Sequence, residues 1–320
     1  MITTKNKLIF SLALVALLAS VPFVAAQEGG IQYQHANNVV TVTTDAIGVR
    51  VTAFNQVPHF TIWDENDTTP GADYHVTFVN LFEANDTDGN GVYDPEVDQR
   101  YGNPFTLPTS DWAFSGFNQE YDGDDVVAVH FNFTNEDTFT PTPPVPYVLA
   151  DDPSPMDLEI EIRVHINATF MDRMKFDLAL DGWEWMYDDS ILVFQFVVAD
   201  SEHGVNDGTG VPADFAEDES GYKFTFGEAW MECAKFAYAE NGTHQSQVQV
   251  KASHGDGEQG STGNAVYIAF GYFGNNSLDY DPTLGILSEE VQPIPTDILL
   301  VVGGAVVVLV VIAIVLKVRK

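Results

Sequence analysis

The chain has 320 residues, of which 13 are basic and 47 acidic, for a formal net charge of −34, and it contains a single cysteine. So acidic a surface repels nucleic acid and anionic lipid, which excludes nucleic-acid binding. One cysteine allows no internal disulfide, so stability has to come from core size or bound cations.

The first seven residues carry only Lys5 and Lys7 as charges, and an apolar run follows over 8–24. With Val24, Ala25 and Ala26 ahead of Gln27, this order predicts a secretory signal peptide over 1–26. Residues 27–286 then form an ectodomain, and 27–297 hold 8 basic residues against all 47 acidic ones. Apolar and polar residues alternate over 126–134 and 158–167, placing Leu158, Ile160, Ile162, Val164 and Ile166 on one face. Further strands are expected at 39–44, 47–54, 59–63, 74–82, 174–180, 191–198, 222–226, 248–252 and 266–273. The segment 228–239 fits a helix or a strand equally well. Many short strands without alternating helices predict an all-β antiparallel sandwich. It is one large module, or two of immunoglobulin size divided near 138–155, where Pro141, Pro143, Pro144 and Pro146 cluster. Residues 287–297 read as a stalk. Residues 298–316 are uncharged, and 19 helical residues span about 28 Å, close to a bilayer core. Lys317, Arg319 and Lys320 in the 317–320 tail place the C-terminus in the cytoplasm and the ectodomain outside a cell membrane.

The chemistry of the exterior begins at 86–98. Asp86, Asp88 and Asn90 hold positions one, three and five of an EF-hand-like calcium loop, Gly91 supplies the turn, and Val92 offers a carbonyl. Asp94 takes position nine. Val97 stands where a bidentate Glu belongs, so Glu96 or Asp98 has to close the shell. The dozen residues resemble the short calcium loops of dockerin and thrombospondin repeats, a likeness that carries ligands and no function. An acidic turn without metal is the plain alternative.

Trp183, Trp185 and Tyr187 alternate, so an extended chain would align them as a platform for sugar rings, with Asp181, Asp188 and Asp189 beside it. A buried row of core aromatics is the competing reading. The parity of Met174, Phe176, Leu178 and Leu180 against Trp183 requires a bulge or a change of face at Gly182. Six Asn-X-Ser/Thr acceptors, at Asn66, Asn85, Asn132, Asn167, Asn241 and Asn275, predict N-glycosylation. Catalytic signatures are lacking: there is no HExxH, GxSxG, Walker or dinucleotide loop. Cys233 lies in an apolar setting typical of a buried thiol. His130 and His165 both fall on outward strand faces, where they could meet across a strand pair.

In layout the chain resembles single-pass archaeal envelope proteins, on the strength of the leader, the sequons, Pro293 to Thr296 and the terminal apolar run. That resemblance implies no activity. The expectation is a membrane-anchored, calcium-stabilised surface protein for adhesion, ligand binding or envelope structure. Its expected partners are polysaccharide or other envelope proteins. An anchored hydrolase acting on glycans or peptides, or a receptor or solute-binding component, is the alternative.

Overall fold

The computed structural model describes residues 30–52, 59–67, 73–142, 155–200, 216–239, 244–253 and 264–287. The expected leader, the expected stalk beyond Leu287, the apolar C-terminal run, most of the proline cluster and Asn241 lie outside the described residues. Among the described residues no helix is long and apolar enough to cross a membrane.

The strands in chain order are β1 (Gln32–Ala36), β2 (Val39–Thr43), β3 (Ile47–Thr52), β4 (His59–Asp64), β5 (Tyr74–Asn85), β6 (Gln99–Arg100) and β7 (Phe105–Thr106). Then come β8 (Ala113–Phe114), β9 (Asn118–Asp122), β10 (Asp125–Phe139), β11 (Met156–Asn167), β12 (Arg173–Asp181), β13 (Ile191–Asp200) and β14 (Ala216–Glu217). The last are β15 (Gly221–Phe226), β16 (Ala229–Ala234), β17 (Phe236–Ala239), β18 (His244–Ser253), β19 (Asn264–Phe270), β20 (Leu278–Tyr280) and β21 (Thr283–Ile286). Every pairing is antiparallel. One ladder runs β1-β2-β3-β4-β5-β13-β19-β18, and a second runs β9-β10-β11-β12, then β20 and β21, then β16-β15-β14. The two join at β18, whose first half pairs with β17 and whose second half pairs with β19.

The inner faces of the two ladders share one core. Phe60 on β4 and Phe78 on β5 meet Phe176 on β12 with ring centroids 5.3 and 5.7 Å apart. A single hydrophobic cluster runs from Ile31 to Ile286, and all described residues fall in one compact unit ending at Leu287. The described residues therefore share one core rather than two. The alternation in β11 sends all five apolar side chains inward and leaves Glu159, Glu161, Arg163 and His165 outside.

Segment 228–239 forms two strands, because β16 is claimed on both edges, by β15 and by β21. Local spacing could not foresee that, since pairing partners lie far away in sequence. A bulge where β5 meets β13, between Gln195 and Phe196, shifts the parity of β5. Leu81 consequently joins the main core, while Phe82 and Ala84 turn to the outer face of the first ladder. That outer face carries a small second cluster with Ile191, Val193, Tyr267 and Ala269.

Candidate functional site

The 86–98 loop lies over this second cluster and is pinned there by its own tyrosine. Tyr93 packs edge-on against Phe82 and Tyr267, with centroids 5.0 and 5.1 Å away. Backbone amides organise the acids. Asp86 accepts from the amides of Gly89, Asn90 and Gly91. Asp98, 7% exposed, accepts from those of Thr87 and Asp94. Gly89 and Gly91 adopt φ of 72° and 76°, the left-handed region that favours glycine. The result brings carboxylate oxygens of Asp86, Asp88 and Asp98 within 4.8 Å of one another.

The other residues of the expected calcium shell sit differently. Glu96 is exposed and stays out of the cluster, so Asp98 is the acid that closes the loop. Asn90 turns its amide to Asp88 and its carbonyl oxygen to the Val92 N–H. Asp94 faces Lys251 on β18 at 2.5 Å, and the ammonium holds its carboxyl below the usual range. A hard cation wants six to eight oxygens, and three convergent carboxylates fit calcium by donor type.

The aromatic row is not a platform. Gly182 has φ of 77°, and a Cβ there would lie 2.0 Å from the Asp157 carbonyl, so β12 ends in a sharp turn and the chain leaves extended geometry. The three rings then diverge. Trp183 is 3% exposed and stacks on Phe139, Trp185 wedges against Tyr272 and Phe273, and Tyr187 meets Tyr101. Period-two spacing holds only while the chain remains a strand, and 183–190 is a loop.

Exposed rings occur elsewhere. Phe236 and Tyr238 on β17 point outward, 46% and 45% exposed. Tyr238 borders a groove of about 480 Å³ lined by Glu159, Glu161, Arg163, Asp181, Asp279 and Asp281. Arg163 bridges Glu161 and Asp279 at 2.6 and 3.2 Å. At the groove's edge Asp177, Asp279 and Asp281 converge, and partial burial together with the two neighbouring carboxylates pushes the Asp281 carboxyl up. The outward register of Phe236 and Tyr238 becomes visible once 228–239 is read as strands. The groove acids come from the β11–β12 pair and, far along the chain, from Asp279 and Asp281 at the end of β20, a meeting with no local signal.

Of the glycan acceptors, Asn66, Asn167 and Asn275 are exposed, and Asn85 and Asn132 are half-buried. Asn132 donates its side-chain amide to Glu161. Cys233 is buried, and burial pushes its thiol up to about 12, which makes it an inert core residue. His130 and His165 do meet, as direct cross-strand partners.

No family model and no curated protein sequence matches the chain. Among solved structures it is similar to heparan sulfate lyase HepC from Pedobacter heparinus, with 9% identity and a TM-score of 0.41 over 89% of this chain and 42% of that one. A heparinase III gene product gives 8% identity and a TM-score of 0.39 over 84% of this chain and 38% of that one. The chain thus spans about two fifths of the length of these enzymes. Likenesses this distant assign no activity.

Proposed function

We propose that the protein is a membrane-anchored, N-glycosylated surface binding module, non-enzymatic and stabilised by calcium in the 86–98 loop, with saccharide as its ligand class. The observation that carries the reading is the groove beside Tyr238. An exposed flat ring at the rim supplies an apolar face for a sugar ring, and carboxylates with one guanidinium behind it supply directional partners for hydroxyls. Gln245 and Gln247, opposite Tyr238 and Phe236 on β18, are exposed and add amide donors and acceptors to the same face.

The test is retention of the full chain, in detergent micelles, on neutral and acidic polysaccharide gels. Tyr238→Ala with Phe236→Ala should abolish retention, while the melting temperature barely moves because both rings are exposed. Unchanged retention in the double variant, or none in the wild type, would overturn the saccharide reading.

The raised Asp281 carboxyl supports a second reading, an anchored glycan hydrolase. A carboxyl whose pKa is raised among neighbouring carboxylates is the kind of arrangement a glycosidic acid catalyst uses. Release of reducing ends by the wild type, lost in Asp281→Asn, would favour this reading over simple binding.

A further inference from the structure

A chain of four side chains crosses the outer face of β9 to β12: Glu120, His130, His165 and Asp177. The two imidazoles face each other through their Nδ1 atoms, 2.7 Å apart. On the far sides, His165 Nε2 lies 2.8 Å from Asp177 Oδ2, and His130 Nε2 lies 3.3 Å from Glu120 Oε1. His130 Nε2 is buried and makes no hydrogen bond.

Neither neutral proton assignment satisfies this chain. The Asp177 contact requires the proton of His165 on Nε2, which leaves its Nδ1 as an acceptor. If His130 donates from Nδ1 to His165, its bare Nε2 lone pair faces the Glu120 carboxylate. If His130 instead carries its proton on Nε2, two Nδ1 lone pairs confront each other at 2.7 Å. Each arrangement contains one acceptor–acceptor contact, which a second proton on His130 or a metal ion shared by the Nδ1 atoms removes.

A second histidine pair provides the contrast. His59 Nε2 lies 2.6 Å from His75 Nδ1, and His75 Nε2 faces Asp73 at 3.5 Å. There one neutral assignment works throughout: His75 directs Nε2–H towards Asp73, and His59 donates Nε2–H to His75. That pair requires no cation.

We propose that His130 and His165 form a binding site for divalent copper, with Nδ1 of each as ligand and Asp177 and Glu120 orienting the rings from behind. Carboxylates on the remote imidazole nitrogens are the usual outer shell of histidine metal sites, fixing the tautomer and raising ligand basicity. The spacing suits a tetragonal ion better than a tetrahedral one. Bonds of ~2.0 Å at ~90°, the tetragonal preference of Cu(II), place two nitrogens roughly 2.8 Å apart, whereas a tetrahedral Zn(II) needs roughly 3.3 Å. Water can complete the equatorial plane. The inference is independent of the saccharide reading, since neither imidazole lines the groove.

The test titrates the full chain in detergent micelles with Cu²⁺, with calcium in excess to occupy carboxylate sites. Electron paramagnetic resonance of the first equivalent should show superhyperfine splitting from two nitrogens. His130→Gln or His165→Gln should weaken binding at least about 100-fold and leave at most one coupled nitrogen, and Asp177→Asn should weaken it about 10–100-fold. His59→Gln with His75→Gln should change nothing. In the unmutated chain, Cu²⁺ should protect His130 and His165 from diethylpyrocarbonate, as mapped by mass spectrometry, which keeps the test independent of variant folding. A two-nitrogen signal that survives loss of both His130 and His165, or that disappears with His59 and His75, would overturn the site. Absence of protection in the unmutated chain would do the same.

Discussion

Glu83 is 1% exposed on β5, yet its carboxylate is fully engaged. It accepts from the backbone amides of Met186 and Tyr187 and from the Ser190 hydroxyl, and so fastens the loop that follows Gly182. Burial pushes its carboxyl up while those donors pull it back. Replacing it with alanine orphans three donors at about 1–3 kcal/mol for each one kept from water. Glu83→Ala should therefore lower unfolding free energy by about 3 kcal/mol in urea titrations at an unchanged m-value. Glu83→Gln, which keeps one acceptor oxygen, should lose roughly half as much. Equal, near-zero effects for both would show that the loop holds without the carboxylate. This residue also marks a limit of sequence reading. An acid between Phe82 and Ala84 carries no local sign that it is buried, because the bulge that shifts β5 is set by its pairing with β13. Trp183 failed as a sugar platform for a related reason: its direction follows from the φ of Gly182, and spacing alone records only a change of face.

Among the elements, long alternating strands were legible and short ones were not. β11 reads directly from Leu158 to Ile166 because every second residue must enter the core. β20 and β21, with three and four residues, offer too few positions for a period to show, and they exist because the edges of β12 and β16 need partners. The 86–98 loop lies between these cases. Its acids and glycines were legible from spacing, whereas the choice of Asp98 over Glu96 depended on two backbone amides donating to Asp98. The β4–β5 pair has a pH consequence of its own. Burial, followed by the neighbouring His75 ring, lowers the pKa of His59 from 6.5 to about 4, with Asp73 pulling the other way. The unfolded chain therefore takes up a proton as pH falls through 6.5, while the folded chain resists until about 4. This group's contribution is complete above pH 6.5 and is lost progressively down to about 4. His59→Gln should flatten the pH dependence of the urea midpoint in that window by up to one proton relative to wild type. Identical slopes would show that His59 titrates normally.

At the scale of the molecule, charge is the dominant strain. At least five of the eight basic residues in 27–297 are already engaged with acids, among them Arg163, Arg173, Lys223, Lys235 and Lys251. About 39 negative charges remain in excess, repelling one another in the compact state, and Cys233 can form no internal disulfide to restrain the unfolded one. Calcium in the 86–98 loop would relieve part of this where three carboxylates converge, at Asp86, Asp88 and Asp98. Linkage gives about 2.7 kcal/mol when free calcium is 100 times the dissociation constant, and less at millimolar calcium if affinity lies in the roughly 0.1–1 mM range of extracellular modules. Chelation should therefore lower the melting temperature of the full chain in micelles by a few degrees. The informative variant is Asp88→Asn. Asp86 and Asp98 each tie down backbone amides, so their loss would weaken the loop with or without metal, whereas the exposed Asp88 bonds only to Asn90. Asp88→Asn should leave the calcium-free melting temperature nearly unchanged and remove most of the calcium response. A sodium chloride series at matched ionic strength separates site binding from general screening, which would relieve repulsion in wild type and variant alike. If calcium stabilises Asp88→Asn as strongly as wild type, the metal acts as bulk counter-ion and the loop is not its site.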